Sequence, residues 1–232
     1  MLLLQLSTFE LEIAVNSTPV VFSDVDGTEK IFGLFGIERG ENLFVDLDGN
    51  WLAAFVPACL QVFPFRIGKF QDEKHVLTIL EDSDLIVPRE NGDPLFNRDG
   101  RHSDVVRKVI EQLTKIEKSN QLIEIACGMM RDFDLLEDLK ISIQKPDKKV
   151  VELLGVKKIN LENFNKLEDR KLLELRKVMG LEIIFSHLFS MQNFAKLAKA
   201  ISVRRSNQAG LRDLGGKIFL GEEADLNFNL LK

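Results

Sequence analysis

Residues 19–35 read PVVFSDVDGTEKIFGLF, and the pair Asp26-Gly27 lies between two apolar runs in this stretch. Asp-Gly between β-prone segments is a strong local signal for a β-hairpin, because glycine accepts the positive φ angle that a tight turn requires. The stretch therefore predicts two antiparallel strands that are joined at Asp26-Gly27.

The same arrangement recurs further along the chain. Asp48-Gly49 separates two apolar segments, 42–45 and 51–56, and both are predicted as strands. The run VLTIL at 76–80 is typical of a buried strand. Residues 1–100 are thus predicted to form a hairpin-rich antiparallel sheet.

The period of the apolar residues changes after Arg101. From Val105 onwards they recur at helical spacing, and Ser103 is predicted as the N-cap of a first helix. A second helix is predicted to begin at Ser119 or Asn120, since both residue types favour N-caps.

One short β-hairpin is predicted inside the helical part. Residues 139–143 and 149–153 are its strands, joined by a turn that contains a proline. Asn160 opens a further helical stretch, and 170–203 is predicted as helix with a joint at Gly180.

The predicted fold class is α+β, with an N-terminal hairpin-rich antiparallel sheet followed by a mainly helical half. We divide the chain into a β-rich half (1–100), a helical half packed on it (101–205) and a loosely packed tail (206–232).

Composition argues against several classes of function. A chain of 232 residues with a formal net charge of −5 lacks the basic character of most nucleic-acid-binding proteins. Cys59 and Cys127 lie far apart in apolar runs, and we expect them to be buried, unpaired thiols. No run approaches the roughly 18 apolar residues of a membrane-spanning helix. The first residues lack the basic region of a signal peptide, so we expect a cytoplasmic protein.

Two strings resemble functional motifs. The string SDVDGT at 23–28 resembles the first motif of haloacid-dehalogenase-type phosphatases, with Asp24 as nucleophile and Asp26 as acid/base. A strand-like segment follows where those enzymes have a helix, so a hairpin turn is the preferred interpretation. The string DLDGN at 46–50 resembles the start of an EF-hand, but Trp51 stands where the calcium loop needs glycine. We expect no metal or cofactor site.

A longer succession of motifs is more specific. Residues 36–46 read GIERGENLFVD, and they are followed by DGNW at 48–51, FVPA at 55–58 and FPF at 63–65. This succession resembles the SapC-like family of bacterial proteins, which is linked to surface layers. The resemblance covers roughly residues 18–200.

The resemblance implies an accessory role in the bacterial cell envelope or surface layer, without an established catalytic activity. Where relatives tend to carry Arg-Arg-Tyr-Pro-Phe, this chain has Gln61-Val62-Phe63-Pro64-Phe65. Phe55 likewise stands where relatives often have tyrosine. A packing role would survive the loss of these hydroxyl and guanidinium groups, whereas polar contacts would not.

We therefore expect a non-catalytic binding or scaffolding protein whose β-rich half presents a platform to a peptide, a glycan or a surface-layer protein. The candidate binding residues are Asn42, Trp51, Phe55, Pro57, Phe63, Pro64 and Phe65. Three alternatives stay open: the four aromatic rings are core residues, the chain is a structural subunit that self-associates through a sheet edge, or it is an enzyme.

The enzyme hypothesis requires a pocket near Trp51 and His187. The polar residues that would have to converge there with His187 are Glu41, Asn42, Asp46, Asp48 and Arg66. His187 itself lies in an apolar helical segment, where a hydrogen-bonded core histidine is the preferred interpretation.

Overall fold

The computed structural model describes residues 1–38, 40–46, 48–69, 75–144, 150–209 and 217–220. The strands in this part of the chain are β1 (Leu2–Gln5), β2 (Val20–Val25), β3 (Thr28–Gly36), β4 (Phe65–Lys69), β5 (His75–Ile79), β6 (Leu136–Asp138), β7 (Ile141–Gln144), β8 (Val150–Leu153), β9 (Lys157–Ile159) and β10 (Lys217–Leu220). The α-helices are α1 (Leu11–Ala14), α2 (Ala58–Gln61), α3 (Asp104–Asp132), α4 (Leu161–Asn165), α5 (Asp169–Lys177), α6 (Gly180–Ser190) and α7 (Asn193–Ala209). The α+β class is confirmed.

The main sheet has five strands in the order β1-β3-β2-β9-β6, and all neighbouring strands are antiparallel. The predicted hairpin at its centre is confirmed, with Val25 paired to Thr28 across the turn. Asp26 and Gly27 both have positive φ, at 55° and 81°. Asp24 accepts a hydrogen bond from the Gly27 N–H at 3.0 Å, so its carboxylate serves the turn.

The turn at Asp48-Gly49 forms, but the strands predicted on either side of it are wrong. Among the described residues, the two segments share one β-bridge, between Val45 and Trp51, and no longer strand ladder. The Asp46 carboxylate accepts from the Asp48 and Asn50 backbone N–H groups and from the Asn50 side chain. These hydrogen bonds hold the pKa of Asp46 below its usual range. A locally closed turn of this kind replaces the longer strand ladder.

The strand predicted at 76–80 exists as β5, but it is not buried. Val76 and Leu80 are exposed, and among the described strands β5 pairs with β4 alone, in a separate two-stranded sheet. The prediction of burial failed because an apolar run specifies a strand without specifying what covers it.

Residues 104–132 form one helix, so the predicted second start at Ser119 or Asn120 is wrong. The Ser103 cap is confirmed, since its hydroxyl accepts from the Val106 N–H. The Ser119 hydroxyl instead accepts from the Thr8 N–H at 2.7 Å. The Asn120 side chain accepts from the Gln5 amide at 2.7 Å. Both residues fasten the N-terminal segment to the helix.

The predicted joint at Gly180 is confirmed, because α5 ends before it and α6 begins there, but a further break between α6 and α7 at residues 191–192 was not predicted. The other predictions for the second half of the chain are confirmed in outline. β7 and β8 form the expected hairpin, whose turn lies outside the described residues, and β10 adds a third strand to it. Asn160 caps α4 by accepting from the Asn163 N–H. Of the predicted tail, residues 206–209 end α7 and 217–220 are β10, and the rest lies outside the described residues.

The main sheet is buried on both faces. Along β2, Val20 and Phe22 belong to a core cluster shared with α3, α5 and α6. Val21 points to the opposite face and belongs to a second cluster, which includes Phe194 and Leu197 of α7. This alternation follows from the period of two along a strand. β6 and β9 complete the same sheet, so residues before and after 101 share one core.

Two glycines provide a test of this packing. A methyl group on Gly180 would lie 2.8 Å from Leu175 Cδ2 and 3.0 Å from the Leu175 carbonyl oxygen. We expect Gly180→Ala to lower the free energy of unfolding by about 1–3 kcal/mol. Gly128→Ala is the matched control, because a methyl group there meets nothing within 4 Å inside α3. It should raise stability by about 0.5–1 kcal/mol in urea unfolding. Equal effects of the two substitutions would contradict the close approach at Gly180.

Candidate functional site

The segment that carries the family-like motifs, residues 37–64, is fastened to the body by a buried carboxylate. Glu10 Oε1 accepts from the Ala58 N–H at 2.6 Å, and Oε2 accepts from the Ser7 N–H at 2.8 Å. Burial raises the pKa of Glu10, although these hydrogen bonds oppose the rise. The carboxylate therefore fixes the first turn of α2 against the N-terminal segment.

Trp51 is half-buried and turned towards the body. Its ring centre lies 5.6 Å from that of Phe35, which in turn contacts Phe44 at 5.0 Å. The indole N–H donates to the Phe55 carbonyl at 2.7 Å. The Phe55 ring packs against the core cluster of α3 and α6. These two predicted site residues therefore brace the segment from inside.

The other predicted site residues differ in exposure. Asn42 accepts from the Phe44 N–H at 2.9 Å and shapes a turn. Pro57 and Pro64 are buried, Phe65 is half-buried at the start of β4, and Phe63 is 41% exposed. The structure thus gathers these residues into one segment, with Phe63 as the ring most open to solvent.

Beyond this segment the chain leaves the core. We define the arm as residues 65–102, which comprise β4, β5 and the irregular stretch up to His102. Among the arm residues whose exposure the structure describes, none is buried. The arm contacts α3 through β4, and α2 contacts α3 as well.

The arm nevertheless carries large apolar side chains. Its exposed members are Val76, Leu80, Leu85, Ile86, Val87, Leu95 and Phe96. Leu85 is 62% exposed and Phe96 is 54% exposed. Scattered single exposures are ordinary, but a whole segment without a buried residue is unusual for a chain of this size. Sequence reasoning missed the arm, although the density of charged and turn-forming residues in 81–102 was an available signal.

The β4–β5 ribbon has open edges. The two strands pair from Phe65↔Ile79 to Lys69↔His75, and among the described strands neither pairs with a third. A two-stranded ribbon is only marginally stable by itself in water. Its unpaired N–H and C=O groups can accept a further extended chain.

His187 does not converge with the polar residues that the enzyme hypothesis requires. Its side chain lies in the core, and the prediction of a hydrogen-bonded core histidine is confirmed. Nδ1 lies 2.7 Å from the Val20 carbonyl oxygen, and Nε2 accepts from the Ile159 N–H at 3.2 Å. Burial lowers the pKa of His187 to about 4, with a further lowering by the charge of Lys158. Asp46 is engaged in its own turn.

The cysteines are free, as expected. Cys127 is buried and Cys59 is half-buried, so the burial of Cys59 is less complete than predicted. Burial raises the pKa of these thiols to about 12 and about 11, respectively. Within the described part of the chain, no three His, Cys, Asp or Glu side chains are grouped to hold a metal ion.

Glu10 gives a direct test of how the segment is held. Glu10→Ala would leave the buried Ser7 and Ala58 N–H groups without their acceptor, so we expect a loss of about 2–4 kcal/mol in the free energy of unfolding. Glu12→Ala is the control, because Glu12 is exposed on α1. Urea unfolding followed by Trp51 fluorescence measures both variants. A Glu10→Ala protein as stable as Glu12→Ala would contradict the assignment.

Comparisons with known proteins come down to one family. No helix among the described residues is long and apolar enough to cross a membrane. No curated protein and no solved structure matches the chain. The family model named SapC matches residues 1–197, which include the motif segment, the arm and most of the core. The chain belongs to the SapC family.

Proposed function

We propose that this SapC-family protein is a non-catalytic binding or scaffolding accessory of the bacterial cell envelope or surface layer, and that it holds a partner protein on the arm. The observation that carries the proposal is the arm itself, where no residue of described exposure is fully buried while Leu80, Leu85 and Phe96 are exposed to solvent. Apolar side chains in such a segment gain stability only when a partner covers them.

The chemistry of the surface favours a polypeptide as the partner. Sugar-binding platforms usually use tryptophan and tyrosine, but the chain has no tyrosine and a single tryptophan. The indole N–H of that tryptophan, Trp51, already donates to the Phe55 carbonyl, and its ring packs near the ring of Phe35. The net charge of −5 disfavours nucleic acid and anionic lipid surfaces.

The open ribbon supports the same choice. An extended segment of a partner can add to an edge of β4–β5 through backbone hydrogen bonds, while neighbouring apolar side chains supply contact area. The predicted site residues Phe63 and Phe65 stand at the base of this ribbon. Residues 37–64 then join the arm to the core through the contacts of Glu10, Trp51 and Phe55.

Site-specific photo-cross-linking in the producing cells tests this proposal. Phe96 in the arm and Phe189 on α6 are both 54% exposed, which makes them a matched pair for replacement by benzoylphenylalanine. We expect a discrete cross-linked envelope protein from position 96 and none from position 189. Adding Leu85→Ser should lower the yield at position 96 at least several-fold while the purified protein keeps its melting temperature.

Three outcomes would overturn the proposal. The first is equal cross-linking at both positions, which would indicate non-specific contact. The second is a product that contains only two copies of this chain, which would indicate a self-associating subunit. The third is a discrete product whose yield is unchanged by Leu85→Ser, which would place the contact off the apolar surface.

A further inference from the structure

A side chain completes the hydrogen bonding between β2 and β9. The two strands pair at a single position, Phe22↔Lys157. Continuing that antiparallel register by two residues along each strand places Val20 opposite Ile159. Instead of a direct ladder at that position, the imidazole of His187 lies between them, bonded to the Val20 C=O at 2.7 Å and to the Ile159 N–H at 3.2 Å. Ser190, three residues further along α6, accepts from the Val20 N–H at 2.8 Å.

These contacts fix the form of the imidazole. A carbonyl oxygen can only accept, so Nδ1 must carry the proton, and a backbone N–H can only donate, so Nε2 must be free of one. The neutral Nδ1–H tautomer therefore satisfies Val20 and Ile159 together. The Phe22 ring, whose centre lies 5.1 Å from that of the imidazole, covers the side chain in the core.

We propose that His187 is an acid-sensitive latch, and that its protonation opens the seam between β2 and β9 before the rest of the sheet unfolds. An imidazolium carries a proton on Nε2 as well, so the nitrogen that accepts from Ile159 would then face its N–H donor to donor. The bond to β9 is lost, and a charge is placed inside an apolar cluster.

The surroundings offer this charge little compensation. On β9, Lys158 adds a repulsive charge, although it is paired with Glu137 of β6 at 3.1 Å. The elements that pack against α6 share an apolar core cluster with it, to which α1 gives Leu11 and Ala14, α3 gives Ile123, Cys127 and Met130, α5 gives Leu175, and β2 gives Val20 and Phe22. The buried carboxylate of Glu10, which precedes α1, is engaged with the Ser7 and Ala58 N–H groups. Cys127 stays a neutral thiol, because burial raises its pKa to about 12.

The other contacts at the seam between β2 and β9 either do not titrate or respond to acid in a lower pH range. Ser23 donates to the Gly155 carbonyl at 2.7 Å, and this bond does not titrate. Lys157 pairs with Glu29 at 3.1 Å. Burial works to raise the pKa of Glu29, but the hydrogen bond from Lys157 and the charges of Lys157 and Arg131 hold it below the ordinary 4.5. The ion pair therefore persists while His187 begins to take up its proton.

The sign of the effect follows from the direction of the shift. The pKa of His187 is depressed from 6.5 to about 4, so its contribution to the seam is complete above 6.5 and is lost as the pH falls towards 4. Between these values, one proton binds preferentially to the open form, so the opening constant rises as the pH falls, by at most about tenfold for each pH unit. From pH 6.5 to pH 5.5 the open form gains its proton while Glu29 stays charged.

Amide hydrogen exchange followed by NMR tests the latch in the full chain. After correction for the intrinsic pH dependence of exchange, the protection factor of the Ile159 amide should fall about fivefold from pH 6.5 to pH 5.5. The Leu34 amide, which is bonded to the Pro19 carbonyl elsewhere in the sheet, should keep its protection. Protection of Ile159 that does not change over this range, or that changes together with Leu34, would overturn the proposal.

A variant and a second signal make the test independent of folding. His187→Gln retains a polar side chain that cannot titrate, so Ile159 exchange in that protein should lose its pH dependence, whatever its absolute level. If this variant does not fold, the imidazole ¹⁵N signals of the native protein decide the matter. They should show the Nδ1–H tautomer at pH 7, and the imidazole of the closed form should become protonated only as the pH approaches about 4. Another tautomer at pH 7, or titration of the native imidazole near its ordinary pKa of 6.5, would contradict the latch.

Discussion

The burial of the first half of β2 on both faces is the constraint on which the rest of the structure depends. Val20, Val21 and Phe22 are fully buried, and their side chains alternate between two core clusters. One strand can satisfy both clusters only if helices cover each side of the sheet, which α3 and α6 do on one face and α7 on the other. Because water is excluded there, each backbone group needs a protein partner. The His187 and Ser190 side chains meet that need where the ladder to β9 is interrupted.

The predictions that succeeded rest on local chemistry. Asp26-Gly27 specifies its own turn, and Ser103 and Asn160 each cap a helix within three residues of themselves. The prediction at Ser119 and Asn120 failed because their partners lie more than a hundred residues away, at Thr8 and Gln5. Residue type alone cannot distinguish a polar group that ends a helix from one that ties a helix to a distant segment. Such long-range partners are visible only once the chain is folded.

The candidate site likewise contains features that local sequence predicts and features that depend on distant contacts. The sequence identified the motif segment and its aromatic residues, and the structure brings Trp51 and Phe55 together through a single hydrogen bond. The role of Glu10 could not be read from the sequence, because Ala58, whose N–H it binds, lies 48 residues further along. The exposure of individual arm residues could not be assigned by type, since Leu80 and Phe96 look like core residues even though charged and turn-forming residues surround them. Whether an apolar residue is covered depends on the tertiary arrangement and not on its hydropathy.

The length of α3 has a mechanical consequence. Its 29 residues span about 44 Å without a break, at 1.5 Å per residue. The helix contacts β4 and α2, and its C-terminal half lies against β3, where Arg131 is paired with Glu29 at 2.9 Å. A continuous helix of this length acts as a stiff lever, so a load on its N-terminal end is transmitted as torque to the sheet. Tension on that end would thus be felt at the Glu29–Arg131 pair rather than absorbed by a flexible linker.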